Sequence, residues 1–308
     1  MKDKGMQKVL ILGGSGMLGH TLFRILAEKP SLEVFVTARS TKELSSWLTP
    51  VQLKQVVSNV EIHDFDRLVQ VFADLKPDSV VNCIGVIKQA PTAHDPLLTI
   101  SVNALFPHRL ARLCGTIGAR MIHFSTDCVF DGQKGSYTES DIANATDFYG
   151  RTKYLGEVLY PHCLTLRTSI IGHELKGRYG LVEWFLSQSG KVSGYTKAIY
   201  SGLPTVELAR IIADDVIPNP ELTGLYHISS PPISKYELLK LIAIQYGKTI
   251  SIEPEESLQI NRSLDSSHFR SQTGYNPPTW PELVGRMYED YVRGPYQTDY
   301  CLTKGDVR

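Results

Sequence analysis

The sequence has 308 residues, of which 42% are hydrophobic and 21% are charged. This is ordinary for a globular protein with a full apolar core and one large or two modest domains. Its formal net charge is +0, which argues against nucleic acid or an anionic membrane as a partner. Five widely spaced cysteines without a Cys-x-x-Cys pair argue against a disulfide framework or a zinc site, and for a cytoplasmic location. No apolar run approaches the roughly 18 residues of a membrane span.

Strands and helices alternate through the first half of the chain. Apolar runs predict strands over residues 8–12, 33–37, 79–84 and 121–125. Helical patterns follow. The first ends at residue 27, after the strand at 8–12 and a glycine-rich loop, and the others cover residues 66–75 and 97–117. Pro107 is expected to bend the last of these helices. This rhythm predicts an α/β fold of the Rossmann type, a doubly wound parallel sheet with helices on both faces. A strand over 225–229 is expected to return to that sheet.

A glycine-rich loop follows the first predicted strand and opens the first helix. It reads Gly-Gly-Ser-Gly-Met-Leu-Gly over residues 13–19, which satisfies the dinucleotide-binding fingerprint. Glycine permits the tight turn and lets the backbone approach a pyrophosphate, while the helix N-terminus offers free N–H groups. A merely structural turn is the alternative. The predicted cofactor contacts here are Gly13, Ser15, Gly16, Met17 and Leu18.

The end of the second strand bears on which dinucleotide is bound. Proteins that bind NAD usually place an acidic residue there to hold the ribose hydroxyls. This chain has Thr-Ala-Arg-Ser over residues 37–40, with no acid. Arg39 could hold a 2′-phosphate, which favours NADPH over NADH as the cofactor, although a solvated surface arginine is the alternative. NADH is kept as the second choice.

Three tyrosines stand four residues ahead of a lysine, so each pair would share one face of a helix. The pairs are Tyr149 with Lys153, Tyr236 with Lys240, and Tyr300 with Lys304. Only the first follows a strand that ends in hydroxyls, because Thr126 closes the strand at 121–125 and Tyr149 comes shortly after it. The other two are interpreted as chance pairs.

These motifs in this order resemble the extended short-chain dehydrogenase/reductase superfamily, and within it the dTDP-4-dehydrorhamnose reductase family. That family reads S-T-D-Y-V-F-D-G where this chain has S-T-D-C-V-F-D-G at 125–132, and Y-G-x-T-K where it has Y-G-R-T-K at 149–153. Segments 167–169 (R-T-S), 202–209 and 261–265, together with Trp280, also match. The resemblance runs from Lys8 to about Val292.

The resemblance implies an NADPH-dependent reduction carried by Thr126, Tyr149 and Lys153. Hydride would pass from NADPH to a carbonyl carbon while Tyr149 gives its proton to the oxygen, which Thr126 holds in place. A free phenol has a pKa near 10. The Lys153 ammonium is expected to lower that of Tyr149. Tyr149 and Lys153 are also expected to contact the cofactor.

Further positions carry over from the family. Glu61 and Ile62 match its adenine contact, and Ile84 and Gly85 are expected to line the cofactor. Asn103 matches an asparagine that the family carries near its active site, although a satisfied buried amide is equally compatible. The expected substrate contacts are Asp127, Cys128 and Arg262. Cys128 departs from the family's tyrosine, which leaves the sugar open. No histidine has metal-ligand spacing, so no metal site is expected.

The implied function is reduction of a dTDP- or UDP-linked 4-keto-6-deoxy sugar for cell-surface polysaccharide synthesis. Residues 1–172 plus about 203–229 would bind the cofactor, and about 173–202 plus 230–308 would form a substrate lobe; the chain is compatible with a homodimer. One alternative is an epimerase or 4,6-dehydratase of the same superfamily, although dehydratases place an acid pair after the threonine and Cys128 follows Asp127 here. Another is a non-catalytic regulatory subunit, as in the methionine adenosyltransferase assembly.

Overall fold

A computed structural model describes residues 6–89 and 91–298 of the chain. Its centre is a seven-stranded sheet in the order β11-β6-β5-β4-β1-β2-β3, in which every neighbouring pair is parallel. The strands are β1 Gln7–Leu12, β2 Leu32–Thr37, β3 Val56–Val57, β4 Ser79–Asn82, β5 Arg120–Thr126, β6 Cys163–Thr168 and β11 Gly224–His227. This is the predicted Rossmann-type fold. Strands β3 and β6 were not predicted individually.

Helices connect these strands and flank the sheet. The connecting helices are α1 Met17–Ala27, α2 Pro50–Leu53, α3 Phe65–Leu75, α4 Pro96–Thr99, α5 Phe106–Ile117, α6 Phe148–Leu155, α7 Leu181–Ser187 and α8 Thr205–Ile211. After the last strand of the sheet come α9 Lys235–Gln245, α10 Ser267–Thr273 and α11 Trp280–Arg293. Among the helices within the described ranges, none has both the length and the apolar character needed to cross a bilayer.

Burial explains why the central strands read as continuous apolar runs. Every residue of β4 and β5 is buried, as expected for parallel strands covered on both faces. From β1 the chain goes outward to β2 on one side and crosses to β4 on the other. The carboxyl ends of β1 and β4 therefore flank a topological switch point, the crevice where open α/β sheets bind ligands.

The long helix predicted over 97–117 is helical throughout but not regular. Residues Ile100–Leu105 form a π-helical segment between α4 and α5. The irregularity therefore precedes Pro107, which sits in the first turn of α5, where its missing N–H costs nothing. The π-helical segment carries Asn103, whose side-chain amide is hydrogen-bonded to the backbone of Val86 in a neighbouring loop. Such segments often occur at functional sites.

The second half of the chain adds short strands beside the large sheet. They are β7 Ile170–Ile171, β8 Lys191–Tyr195, β9 Ala198–Tyr200, β10 Leu203–Pro204, β12 Ile233–Ser234, β13 Ser251–Glu255 and β14 Ile260–Asn261. They pair as β10-β7, β12-β9-β14 and β13-β8. Helix α8 packs on α1, and α11 packs on α8 and α9, so one apolar core joins the sheet to the C-terminal helices.

Candidate active site

The glycine loop between β1 and α1 is fixed by its neighbours and open on one side. The N–H of Gly13 donates to Thr37 Oγ1 at 3.2 Å, and that of Gly14 donates to the Thr37 carbonyl oxygen at 2.9 Å. Gly13 has a φ of +91°, and a Cβ on Gly19 would collide with the Gly13 carbonyl. A Cβ on Gly16 would meet only the Gly13 carbonyl oxygen, at 3.4 Å. The fold of the loop therefore requires glycine at positions 13 and 19, whereas the space beside Gly16 is free of protein atoms and open to a ligand.

A cavity of about 380 Å³ lies over this loop, at the carboxyl ends of β1, β2 and β4. It brings together most of the predicted cofactor residues, namely Gly13, Ser15, Gly16, Arg39, Glu61, Ile62, Ile84 and Gly85. Met17 and Leu18 do not line it. Leu18 is buried in the core, and the Met17 side chain lies beside Gly180. Only the backbone N–H groups of these two residues can therefore serve a ligand, as helix N-terminal donors.

The sequence did not identify several residues on the wall of this cavity. They are Thr37, Ala38, Val60, His63, Cys83, Leu98 and Val102. Thr37 had a usable signal, because it is a hydroxyl at the end of a buried strand, as Thr126 is. Leu98 and Val102 had none, since apolar residues in a helical pattern are expected in the core.

The hydroxyl of Thr126 stands at the carboxyl end of β5, where a short turn, Asp127–Val129, begins. Its Oγ1 accepts from the Cys128 N–H at 3.1 Å and donates to Asp127 Oδ1 at 3.1 Å. Helix α6 starts next to this turn. Asp147 caps the helix by accepting a hydrogen bond from the Gly150 N–H at 2.9 Å. A Cβ on Gly150 would collide with the Cys128 carbonyl. Glycine at 150 thus allows the close approach that brings α6 to Thr126.

Tyr149, the second residue of α6, has its phenol close enough to the Thr126 hydroxyl to interact with it. Burial is the main cause that raises the pKa of the phenol, and Cys128 raises it further, while the Thr126 hydroxyl lowers it. The expected lowering of the Tyr149 pKa is wrong for this structure: the pKa is raised, and Lys153 is not among the groups that change it most. The physical reason is that desolvation of the phenolate outweighs the favourable contacts.

The Lys153 ammonium points into the protein beside the cavity. Its Nζ donates to the Phe124 carbonyl oxygen at 2.7 Å and lies 4.0 Å from where a Cβ on Gly85 would stand. Burial lowers the pKa of Lys153 to about 8, and the Glu157 carboxylate opposes that shift. Glu157 in turn forms a buried two-point ion pair with Arg167, at 2.7 and 2.8 Å. The lysine is therefore a partly desolvated cation at the edge of the cavity.

Asn103 holds the loop that carries Gly85. Its Oδ1 accepts from the Val86 N–H at 2.9 Å, and its Nδ2 donates to the Val86 carbonyl oxygen at 3.1 Å. The amide is buried. A Cβ on Gly156, at the end of α6, would collide with the Asn103 carbonyl. Asn103 thus fixes the distance between the cavity and the helix of Tyr149 and Lys153.

Charged side chains gather on the other side of Thr126. Arg262 donates to the Phe130 carbonyl oxygen at 2.8 Å, lies 3.6 Å from Cys128 Sγ and lies 3.6 Å from an Asp147 carboxylate oxygen. Burial raises the pKa of Asp127, whereas Arg262 and Lys235 lower it. Burial likewise raises the pKa of the Cys128 thiol to about 12, so this thiol is not an activated nucleophile. The predicted substrate residues therefore lie together, and sequence analysis missed Lys235 beside them.

Comparison with known proteins gives this arrangement a family. The family model described as the RmlD substrate binding domain matches residues 6–293. The chain belongs to this family of dTDP-4-dehydrorhamnose reductase-like proteins. The resemblance drawn from the motifs is thereby confirmed.

Individual members of the family have different roles. The methionine adenosyltransferase 2 subunit beta of Mus musculus is 24% identical over 328 residues, covering 93% of this chain and 91% of that protein. The dTDP-4-dehydrorhamnose reductase of Aggregatibacter actinomycetemcomitans is 26% identical over 243 residues, covering 75% and 76% of the two chains. The crystal structure of a Bacillus anthracis dTDP-4-dehydrorhamnose reductase in complex with NADP has a TM-score of 0.76 at 20% identity, covering 92% of this chain and 99% of that one. The last likeness establishes the shared fold.

The other two tyrosine–lysine pairs differ from that of Tyr149. Tyr236 and Lys240 lie on α9, where the Lys240 ammonium is exposed beside Glu237. The pair of Tyr300 and Lys304 lies outside the described residues. Across residues 6–89 and 91–298, no group of three or more His, Cys, Asp and Glu side chains is arranged to hold a metal ion.

Proposed function

We propose that the cavity over the glycine loop binds a nicotinamide dinucleotide, with NADPH preferred and NADH as the second choice. The support is the chemistry of its wall. Gly16 leaves its side open, the N-terminus of α1 presents unpaired N–H groups, and the end of β2 offers Arg39 and no acid. The related Bacillus anthracis structure holds NADP. Glu61 and Ile62 would contact the adenine, and Ile84 and Gly85 the remainder.

The observation that carries the proposed activity is the position of Lys153 and Tyr149. Lys153 Nζ lies beside Gly85, a residue of the cavity wall, and one helical turn earlier the Tyr149 phenol lies beside the Thr126 hydroxyl. When bound, NADPH supplies the hydride. Tyr149 donates the proton to the carbonyl oxygen of the substrate, and Thr126 holds that oxygen by a hydrogen bond. Because its pKa is raised, the Tyr149 phenol is fully protonated at neutral pH, as a proton donor must be.

The proposed substrate is a dTDP- or UDP-linked 4-keto-6-deoxy sugar, and the product would serve cell-surface polysaccharide synthesis from the cytoplasm. The support is family membership together with the Asp127, Cys128 and Arg262 cluster next to Thr126. In this proposal residues 1–172 plus about 203–229 serve the cofactor, and about 173–202 plus 230–308 serve the sugar. A homodimer is compatible with this scheme.

A second candidate function rests on one specific observation. The methionine adenosyltransferase 2 subunit beta matches this chain over 93% of its length, and the regulatory-subunit alternative named that assembly. A subunit of that kind need not keep a hydroxyl, tyrosine and lysine beside the cavity, and this chain has all three. We therefore place the reductase first.

Oxidation of NADPH by the purified protein tests the proposal. The assay takes a panel of dTDP- and UDP-linked 4-keto-6-deoxy sugars, with Tyr149→Phe as the inactive control. Consumption of NADPH with at least one sugar is expected. Tightly bound NAD in the purified protein, together with epimerisation and no net oxidation, would instead favour the epimerase alternative. Inactivity with every sugar would favour the regulatory subunit.

A further inference from the structure

The side chain of Lys235 has no role in the proposed chemistry and an unusual environment. It is the first residue of α9, and its Nζ lies 3.8 Å from the centroid of the Tyr200 ring. Tyr200 is itself buried. The ammonium makes no hydrogen bond to any residue in the described ranges. The Asp127 carboxylate and the Cys128 thiol are the groups that raise its pKa, so it stands beside the turn that follows Thr126.

The surroundings of Lys235 disfavour its charged form. Desolvation lowers the pKa of Lys235 to about 8, although Asp127 opposes that shift. A cation in the first turn of a helix also opposes the helix dipole. An ammonium has three donors, and those of the half-buried Lys235 are not used by any acceptor among the described residues, so they are available to a ligand. The Tyr200 ring and Asp127 offset part of the cost of desolvation.

The local charge favours an anionic ligand. Lys235 and Arg262 approach the turn of Asp127 and Cys128, and both act on the pKa of Asp127. Asp147 lies 3.1 Å from Lys88 and 3.6 Å from Arg262. The cluster of Lys88, Lys235 and Arg262 with Asp127 and Asp147 therefore has one cation more than it has carboxylates, and Asp127 Oδ1 already accepts from Thr126.

We propose that Lys235 binds the diphosphate of the nucleotide-sugar substrate, with Arg262 on the other side of the Asp127–Cys128 turn. This rests on the proposed function and adds to it the residue that recognises the anionic part of the substrate. A lysine ammonium suits this purpose because it is a compact point charge whose three N–H donors can face phosphate oxygens. The sugar would then extend from Lys235 toward Thr126 and Tyr149.

Titration calorimetry with nucleoside diphosphates tests this contact separately from catalysis. UDP and dTDP, and the nucleosides uridine and thymidine, are titrated into wild type, Lys235→Met, Lys235→Arg and Lys240→Met in the presence of NADPH. Lys235→Met should weaken the binding of the preferred diphosphate about 10- to 100-fold, as expected for the loss of a charge-assisted hydrogen bond. Nucleoside binding should not change. Lys235→Arg should recover most of the affinity, and Lys240→Met, on the exposed part of the same helix, should match wild type.

Folding is followed by thermal unfolding and by NADPH affinity in each variant. Lys235→Met should retain both, with an unfolding temperature close to that of wild type, because no hydrogen bond to a described residue is lost. Unchanged diphosphate affinity in Lys235→Met, with only the KM for the sugar substrate raised, would overturn the proposal in favour of a contact to the sugar. Unfolding of Lys235→Met would also overturn it, since the ammonium would then be structural. Failure of wild type to bind either diphosphate would overturn the proposed function and this inference together.

Discussion

The two sides of the candidate active site are built by different means. The cofactor side, meaning the glycine loop and the strand ends that line the cavity, consists largely of backbone and apolar groups held by short-range contacts. The sugar side, meaning Asp127, Cys128, Asp147, Lys235 and Arg262, consists of charged and polar side chains from separate segments. The dinucleotide would therefore bind to closely packed backbone, whereas the substrate would bind to a cluster of opposite charges. Added side-chain atoms should disrupt binding on the cofactor side, and changes of charge should disrupt binding on the sugar side.

The largest effect is expected from Gly16→Val on the cofactor side. Gly16 has an extended backbone, and a Cβ there meets only the Gly13 carbonyl oxygen. The variant should therefore fold, while its side chain fills the space required by the pyrophosphate and NADPH binding is lost. Calorimetry measures the binding and circular dichroism the fold. Gly285→Ala, on a helix where an added Cβ meets nothing within 4 Å, is the control. Retained NADPH affinity in Gly16→Val would refute the placement of the cofactor.

A second prediction concerns the buried ion pair behind both sides. The Glu157 and Arg167 side chains are only 5% and 4% exposed. Glu157→Gln leaves the guanidinium buried without a counter-charge and should lower the free energy of unfolding by about 3–5 kcal/mol. Urea denaturation measures this. The matched control is Glu253→Gln, which breaks an exposed pair with Lys191 and should cost less than about 1 kcal/mol. Equal effects of the two substitutions would contradict the account.

Arg39→Ala separates the two cofactors. If Arg39 holds the 2′-phosphate, its loss should raise the KM for NADPH about 10- to 100-fold and leave the KM for NADH almost unchanged, because one charge-assisted contact is removed. Steady-state kinetics with both cofactors give the comparison. A parallel change in both values would mean that Arg39 does not bind the 2′-phosphate.

The smallest effect is a pH dependence of cofactor binding through Lys153. Burial lowers the pKa of this ammonium to about 8, so it is charged below that pH and becomes neutral as the pH rises through it. NADPH affinity should be constant below pH 8 and weaken about fivefold above it, as a charge-assisted hydrogen bond becomes a neutral one. Calorimetry across this range measures the effect. Lys153→Met should bind more weakly and lack the transition, and the same transition in that variant would assign it to another group.

The difference between the two sides also explains what the sequence could predict. The glycine loop, Arg39 and the strand ends follow directly from buried runs in chain order, so the fold and most of the cavity wall were predictable. The motif of Thr126, Tyr149 and Lys153 was recognisable because its members share one stretch of chain. Lys235 could not be recognised in this way, because it interacts with Asp127, which is over 100 positions away in the chain. Only the packing of the fold brings the two residues together.

Two details were predicted differently for a related reason. The raised pKa of Tyr149 depends on how far the phenol is withdrawn from water, which spacing along a helix does not reveal. The π-helical segment at Ile100–Leu105 has no sequence signal of its own, because residues in it keep a helical pattern. Both depend on the close packing that Gly150 and Gly156 allow.

The rate of NADPH oxidation by Tyr149→Phe tests the central claim most directly. The substitution keeps the ring and removes only the hydroxyl beside Thr126, so folding and NADPH affinity should remain at wild-type values. Loss of the proton donor should lower kcat for the 4-keto sugar by about 100- to 10,000-fold. Tyr236→Phe, from the pair on α9, should leave kcat unchanged. Reduction of the sugar by Tyr149→Phe at a near wild-type rate would contradict the account.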